Sequence, residues 1–289
     1  MEINMARLCI TTECVCDLPR ELLNSFDIDI IYFHIYTESG CFQDTDEIDA
    51  RNILEYMENG GTKSQSSAPS ANEYKKFFQN KLENYDEIIH IAISSGISES
   101  VRYASLAVAK MGIDGRKIHV FDSGHLSSGM GIMALRAAQM NREGKSTRQI
   151  LEALSDMKEH VSTSFIVKNA DYLYRNQKVS RQIRNLCNFF SLHPVLYMKN
   201  GRLTMKGIRI GNYEEAGIRY VKKELAHTEQ IDKAHLFITH ASCSSRHLQQ
   251  IEKTAASCCS FDKITVNSAS ASVSSNCGPD AFGVLFLMK

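Results

Sequence analysis

The sequence predicts an α/β fold, because short β-branched apolar runs alternate along it with amphipathic helical patterns. In the N-terminal part, this alternation is typical of a mostly parallel sheet with helices on both faces. The length of 289 residues exceeds that of one typical domain. We therefore predict two domains, residues 1–161 and residues 162–289, with a ligand site between them. The second is expected to be α/β or α+β.

The N-terminal strands are predicted from their apolar, β-branched character. They are Leu8–Thr12, Ile28–Tyr36, Glu87–Ile93 and Lys117–Phe121. Capping signals mark three helix starts. These are Asp17 with Pro19 in the first turn, Ser70 with Glu73 in a capping box, and Ser98. Other helices are predicted at Asp49–Glu58, after Asp122-Ser123-Gly124, and at Thr147–Glu159.

The C-terminal half begins a new unit at Phe165–Val167 and has helical pieces up to about Phe190. Its clearest signal is Asn200-Gly201, which predicts a hairpin turn between two strands. The remaining elements are predicted from periodicity. The strands are Leu192–Tyr197, Leu203–Ile210, Ala234–Thr239, Lys263–Val266 and Phe282–Met288, and the helices are Tyr213–Ala226 and Ser244–Ala256.

Composition excludes several classes of function. The net charge is zero and the pI is about 7.1, which argues against a broad nucleic-acid-binding face. No apolar run approaches the roughly 20 residues of a membrane span, so we expect no stable membrane insertion. The nine scattered cysteines and the lack of a visible signal peptide predict free thiols in the cytoplasm. No cysteine–histidine spacing predicts a metal site.

Hydroxyl-rich loops follow several predicted strands. They lie near Thr11–Cys14, at Ser64–Ser70, at Ser94–Ser98 and at Ser123–Ser128. In open α/β sheets, ligands bind beyond the carboxyl ends of the strands. A helix N-terminus after such a loop favours an anion. The pattern therefore predicts a polar pocket for the acidic head of a small molecule.

Catalytic alternatives have weaker support in the sequence. A hydrolase would need a nucleophile elbow of the form G-x-S-x-G, which is absent. Ser123 with His125, and Ser242 with His240, lack an evident third partner. Cys14 lacks a cationic activator in sequence. Walker and G-x-G-x-x-G loops for nucleotides are also absent.

Six motifs in order resemble those of the DegV family of bacterial fatty-acid-binding proteins. The similar segments are Glu13-Cys14-Val15-Cys16-Asp17-Leu18-Pro19, Ser66-Ser67-Ala68-Pro69-Ser70, residues 93–100 (ISSGISES), residues 122–129 (DSGHLSSG), Pro194-Val195-Leu196 through Gly201, and residues 276–283 (NCGPDAFG). The resemblance covers nearly the whole chain. The departures from the family motifs are Glu13, Cys14, Asn176-Gln177-Lys178 in place of GGR, Asn276 in place of His, and Asp280 in place of Gly.

The resemblance implies a binding protein that is not an enzyme and needs no cofactor. It would hold a long-chain fatty acid, such as palmitate, stearate or oleate, and present it to a fatty acid kinase. The lipid carboxylate would contact Ser66 and either Ser94 or Ser95, with Asn276 nearby. The candidate head-group residues are Ser66, Ser67, Ser94, Ser95, Ser98, Ser128 and Asn276. The candidate residues lining the acyl tunnel between the domains are Met130, Met133, Phe165, Phe190 and Phe282.

Two alternatives stay open at this point. The same serine-rich loops suit an enzyme or sensor that acts on a small phosphorylated or carboxylated metabolite. The chain also fits a DegV relative that has lost lipid binding and serves as an interaction protein.

Overall fold

The computed structural model describes residues 7–45, 48–61, 64–175 and 180–289. The strands are β1 (Leu8–Glu13), β2 (Ile28–Ile31), β3 (His34–Thr37), β4 (Gly40–Gln43), β5 (Gln65–Ser67), β6 (Glu87–Ala92), β7 (Ile118–Asp122), β8 (Val161–Ile166), β9 (Leu192–Lys199), β10 (Arg202–Ile210), β11 (Leu236–His240), β12 (Ile264–Ser268) and β13 (Phe282–Leu287). The α-helices are α1 (Arg20–Phe26), α2 (Ala50–Glu58), α3 (Ala71–Leu82), α4 (Ser100–Ala109), α5 (Ser127–Arg142), α6 (Thr147–Met157), α7 (Asp171–Arg175), α8 (Arg181–Phe189), α9 (Tyr213–Glu224), α10 (Ser245–Cys258) and α11 (Ala271–Cys277).

The first sheet is parallel throughout and has the strand order β2-β1-β6-β7. Successive side chains of a strand point to opposite faces, so each strand serves two cores. Cys9 and Ile88 pack with α3 and α4, whereas Ile10 and Ile89 pack in the cluster that contains α5. The predicted parallel sheet with helices on both faces is confirmed.

The second sheet is mixed and has the order β10-β9-β8-β13-β11-β12. Its β9–β10 hairpin turns at Asn200 and Gly201, whose φ angles are 50° and 72°. Both residues are in the left-handed region, as a tight hairpin turn requires. The predicted hairpin and the α/β character of this half are confirmed.

A third, small antiparallel sheet has the order β4-β3-β5. It corrects two predictions. The single strand expected at Ile28–Tyr36 is two strands, β2 in the parallel sheet and β3 in the small one. The segment expected to be a loop at Ser64–Ser70 contains β5, whose Ser66 pairs with Ile35.

Helix α5 lies between the two large sheets. It contacts β1 and β6 on one side and β8 and β13 on the other. One hydrophobic cluster therefore combines Ile10 and Ile91 of the first sheet with Phe165 and Leu285 of the second. The boundary at residues 161 and 162 remains a prediction, and it falls after the first residue of β8.

Helix starts agree with the sequence where the capping partner is local. Ser70 forms the predicted capping box with Glu73. Asp17 does not cap α1, since its backbone is left-handed with a φ of 52° and its side chain is buried. Ser98 does not occupy the N-cap of α4, because that position belongs to Glu99. Helix α11 was not predicted.

No helix in the described part of the chain combines the length and apolar character that a membrane span needs.

Candidate functional site

A cavity of about 380 Å³ lies where the small sheet, the β6–α4 loop, α11 and the second sheet meet. Most of its wall is apolar. The apolar lining residues are Val15, Phe33, Ala68, Ile93, Ile97, Tyr103, Leu126, Phe165, Leu173, Leu203, Val273 and Cys277. The polar lining residues are Gln65, Ser66, Ser67, Ser98, Glu99, Ser272 and Asn276. An apolar wall with a few polar groups is the usual composition of a small-molecule site.

Ser66 and Asn276 come together across the cavity wall although 210 residues separate them. Ser66 lies on β5, and Asn276 lies in the last turn of α11. The Asn276 Nδ2 atom is 3.3 Å from Ser66 Oγ and donates a second hydrogen bond, of 2.8 Å, to the Ser272 carbonyl. Ser67 also lines the cavity, and its hydroxyl donates to the Ala68 carbonyl.

The β6–α4 loop contributes less to the cavity than its serines suggest. Ser94 is fully buried and donates a 2.6 Å hydrogen bond to the Gly201 carbonyl of the β9–β10 turn. Ser95 is exposed and donates to the Asp122 carboxylate at 2.5 Å. Neither lines the cavity, whereas Ser98 does. Ser98 Oγ accepts from the Ser100 backbone N–H at 3.2 Å.

Ser128 lies in a buried polar network between α5 and the second sheet. Its hydroxyl is 2.7 Å from Thr239 Oγ1 and accepts from Asn267 Nδ2 at 3.2 Å. Asn267 also donates to the Asp17 carbonyl at 2.6 Å. This network joins the two halves of the chain, and Ser128 does not line the cavity.

Of the five residues predicted to line an acyl tunnel, Phe165 lines the cavity. Met130 and Met133 are fully buried in the core around α5, and Phe282 is buried against Tyr220. Phe190 is 55% exposed at the end of α8. The structure thus places four of the five outside the cavity wall.

Several lining residues were not predicted, including Ile97, Tyr103, Leu203 and Val273. Ile97 directly precedes Ser98, a predicted head-group residue. This proximity in sequence could have identified Ile97. Val273 could not have been found this way, because the helix that carries it was not predicted.

A buried glutamate supports the β6–α4 loop from behind. Glu13 is fully buried and accepts hydrogen bonds from the Tyr74 hydroxyl at 2.6 Å, from the Ser100 hydroxyl, and from the Ile93 backbone N–H at 2.9 Å. His90 Nε2 lies 3.5 Å from the same carboxylate. Burial and the nearby Glu13 raise the pKa of Tyr74 well above its usual value, so this phenol stays protonated and donates.

Two other buried acids hold the start of α11. Asp44 accepts from the backbone N–H groups of Ala271 at 2.9 Å and Ser272 at 2.8 Å, and Asp17 accepts from that of Ser270 at 2.8 Å. These donors have no partner within the helix, so the carboxylates cap it. Burial raises the pKa of Asp17 to about 7 and also raises that of Asp44.

The serine–histidine pairs considered from the sequence are not assembled for catalysis. The His125 ring contacts Thr163 Oγ1 and the Lys158 carbonyl, and Ser123 Oγ donates to the His125 backbone carbonyl instead. His240 Nδ1 accepts from the Cys243 backbone N–H at 3.4 Å. Burial raises the pKa of the Cys14 thiol well above its usual value, which opposes a nucleophilic thiolate. Within the described ranges, no group of three metal-ligating side chains converges.

The motif departures fall in different places. Asp280 adopts a φ of 63°, in the left-handed region that glycine adopts without strain. Its carboxylate pairs with Lys168 Nζ at 2.7 Å. Asn276 lies in the cavity wall. The segment Asn176-Gln177-Lys178 lies outside the described residues.

Fold and site together define an α/β protein with two large sheets and one small sheet, and with an apolar cavity bordered by hydroxyl and amide groups. The family model for DegV proteins, described as uncharacterised, matches residues 7–289, and the chain belongs to this family. A DegV domain-containing protein of Caldanaerobacter subterraneus is 25% identical over 297 aligned residues, which cover 99% of this chain and 100% of the relative.

Solved structures agree with this assignment. A DegV family protein from Thermus thermophilus, described as binding fatty acid, superimposes with a TM-score of 0.87 at 22% identity and covers 98% of this chain and 100% of its own. The fatty acid kinase B3 protein of Streptococcus pneumoniae, loaded with linoleic acid, gives a TM-score of 0.83 at 18% identity with the same coverage. These likenesses show the fold.

Proposed function

We propose that this chain is a non-catalytic binding protein for long-chain fatty acids. The observation that carries the proposal is the cavity of about 380 Å³, whose wall is mostly apolar and whose polar groups come from β5, the β6–α4 loop and α11. Ser66, Ser98 and Asn276 are the head-group residues best placed for the role. The acyl chain would lie against Phe165 and the other apolar lining residues.

The energetics favour an acyl chain over a small polar metabolite. Burying about 15 methylenes at about 0.8 kcal/mol each gives an upper bound of about 12 kcal/mol. Hydrogen bonds to a charged head contribute about 1.5–3 kcal/mol each. The tail therefore supplies most of the affinity, and the hydroxyl and amide groups orient the head. A phosphorylated metabolite would instead need cations, and the described cavity wall has none.

We extend the proposal to a partner: the loaded protein presents its fatty acid to a fatty acid kinase. The support is the structural likeness to a protein named as part of a fatty acid kinase, together with family membership. Incubation of the loaded protein with a bacterial fatty acid kinase and ATP should yield an acyl phosphate. If no acyl phosphate forms with any loaded acyl chain, the proposed kinase partner is wrong, while the proposal of lipid binding stands.

Mass spectrometry of the denatured, freshly purified protein tests the main proposal. We expect a co-purified long-chain fatty acid in near-stoichiometric amount, and competition by added palmitate or oleate. Absence of any acyl chain, combined with no binding of either added acid, would contradict the proposal.

A further inference from the structure

Helix α11 and the residues just before it are rich in serine, and most of these hydroxyls have an internal partner. The hydroxyls of Ser268, Ser270 and Ser275 each form a hydrogen bond with a backbone group. Ser272 and Ser274 differ, because their hydroxyl oxygens are buried and have no hydrogen-bond partner among the described residues. Few buried polar groups in native proteins lack a partner, so each of these two hydroxyls requires an explanation.

The two hydroxyls differ in what lies beside them. Ser272 lines the cavity together with Ser66 and Asn276, whereas Ser274 does not line it. Residues four positions apart lie on the same face of a helix, and residues two positions apart do not. Ser272 and Asn276 therefore share the face of α11 that borders the cavity. A ligand in the cavity can reach the Ser272 hydroxyl but not that of Ser274.

The first backbone N–H groups of α11 are already used within the protein. The Ser270 N–H donates to Asp17, and the N–H groups of Ala271 and Ser272 each donate to one oxygen of Asp44. Both carboxylates are buried, and neither lines the cavity. The start of the helix therefore leaves these donors to the two carboxylates, and a ligand on this side of the cavity would meet side-chain hydroxyls instead.

Ser66 supplies a second hydroxyl on the same side of the cavity. Its Oγ accepts from Asn276 Nδ2 at 3.3 Å and donates to no described residue. The Asn276 amide is held in this direction, because Nδ2 also donates to the Ser272 carbonyl at 2.8 Å. A hydroxyl that accepts a hydrogen bond keeps its own proton for donation. Ser66 and Ser272 thus offer two O–H donors beside one amide.

We propose that Ser272 is a head-group-binding residue of the lipid site and acts together with Ser66. Each hydroxyl donates to one oxygen of an ionised fatty-acid carboxylate, which only accepts hydrogen bonds, and Asn276 positions Ser66. The inference rests on the proposed function and adds a residue to its head-group site. Ser272 lies outside the six motif segments that resemble the DegV family, so the resemblance does not assign it this role.

Equilibrium binding of two radiolabelled lipids to the intact, delipidated protein tests the role of Ser272. At about pH 8 hexadecanoic acid is ionised, and hexadecan-1-ol has the same tail length with an uncharged head. Ser272→Ala should weaken binding of the acid by about tenfold or more, because hydrogen bonds to charged groups are stronger than those to neutral groups. Binding of the alcohol should weaken by less than about threefold.

Ser274→Ala is the matched control, since it removes the same kind of buried hydroxyl from the same helix at a position that does not line the cavity. It should change the affinity for the acid by less than about twofold. Neither variant should lower the unfolding free energy of the delipidated protein, because neither hydroxyl has a partner to lose there.

Three results would show that the inference is wrong. In the first, Ser272→Ala binds the acid as tightly as the wild type does, or loses no more affinity than Ser274→Ala. In the second, Ser272→Ala weakens binding of the acid and the alcohol equally. In the third, Ser272→Ala destabilises the delipidated protein, because the hydroxyl would then serve the fold. In each of these cases the wild type still binds the acid, so the proposed function stands. If the wild type binds neither lipid, the proposed function and the inference are both wrong.

Discussion

The two sides of the cavity use similar residues in different ways. On the sheet side, which is formed by the β6–α4 loop, the hydroxyls of Ser94 and Ser95 are used for internal hydrogen bonds, and Ser98 alone of the loop's three predicted head-group serines lines the cavity. On the helix side, β5 and α11 place Ser66 and Asn276 in the cavity wall. A hydroxyl-rich loop at a strand end is therefore no guarantee of a ligand contact. The topology decides whether a serine closes a turn or faces a cavity.

The two sides also differ in how buried acids support them. Glu13 holds the sheet side through two hydroxyls and a backbone N–H, with His90 beside it. Asp17 and Asp44 hold the helix side through backbone N–H groups at the start of α11. Because burial raises the pKa of Asp17 to about 7, the support of the helix side changes with pH.

The largest predicted effect is this pH dependence. The pKa of Asp17 is raised from 3.8 to about 7, so the folded state favours the protonated form. Its contribution to stability is fully present below about pH 4 and is lost as the pH rises through about 7, with a total of about 4 kcal/mol. Urea unfolding measures the free energy of unfolding of the wild type and of Asp17→Asn across this range. The wild-type value minus the variant value should fall as the pH rises from about 4 to about 7.

The comparison with Asp17→Asn removes the contribution of other groups. Burial lowers the pKa of His125 and lowers that of His235 to about 4, so these side chains make stability rise with pH over part of the same range. They are present in both proteins and cancel in the difference. A difference that is independent of pH would contradict the assignment to Asp17.

Removing Glu13, which supports the β6–α4 loop on the sheet side, should lower the free energy of unfolding by nearly as much. Glu13→Ala removes the buried acceptor of the Tyr74 hydroxyl, the Ser100 hydroxyl and the Ile93 N–H. The two hydroxyls lie 2.8 Å apart and one can donate to the other, so one hydroxyl and the Ile93 N–H are left unpaired. Each buried group left unpaired costs about 1–3 kcal/mol, so we expect a loss of about 3 kcal/mol or more in the free energy of unfolding. Urea unfolding measures this loss. The control is Asp114→Ala, because the Asp114 side chain is exposed in the single turn, Asp114–Lys117, that precedes β7. Equal small losses in the two variants would show that Glu13 does not support the loop.

How far the sequence predicts this fold depends on whether the determining interactions are local. The Ser70 capping box and the Asn200-Gly201 turn are encoded within a few residues, and both were predicted correctly. The split of residues 28–36 was not predicted, because β3 leaves the parallel sheet to pair with β4 and β5. Helix α11 is seven residues long, and its start is held by Asp44, 227 residues away from Ala271.

The site was predictable to a similar extent. Ser66, Ser67, Ser98 and Asn276 were identified and line the cavity, although their role in binding remains a prediction. Apolar lining residues were harder to identify, because an apolar residue on a helix gives no sign of which neighbour covers it. Met130 and Met133 pack between the two sheets. Phe190 follows α8 and is largely exposed.

The helix side of the cavity should dominate ligand affinity. Ser66→Ala removes a hydroxyl of the cavity wall and the acceptor of one Asn276 hydrogen bond. We expect long-chain fatty acid affinity to fall by about 1–2 kcal/mol with little change in unfolding free energy, since Ser66 is partly exposed. Isothermal titration calorimetry with palmitate measures the loss. Unchanged affinity would remove Ser66 from the site.

Ser94→Ala gives the smallest expected effect on affinity and completes the comparison. Its hydroxyl joins the β6–α4 loop to the β9–β10 turn through Gly201, and Gly96 N–H donates to the same oxygen at 3.2 Å. Loss of this link should cost about 1 kcal/mol of stability, while palmitate affinity changes by less than about threefold. Urea unfolding and calorimetry on one preparation measure both quantities. A loss of affinity as large as that of Ser66→Ala, at unchanged stability, would mean that Ser94 turns from Gly201 to the ligand on binding and joins Ser98 in head-group recognition from this side of the cavity.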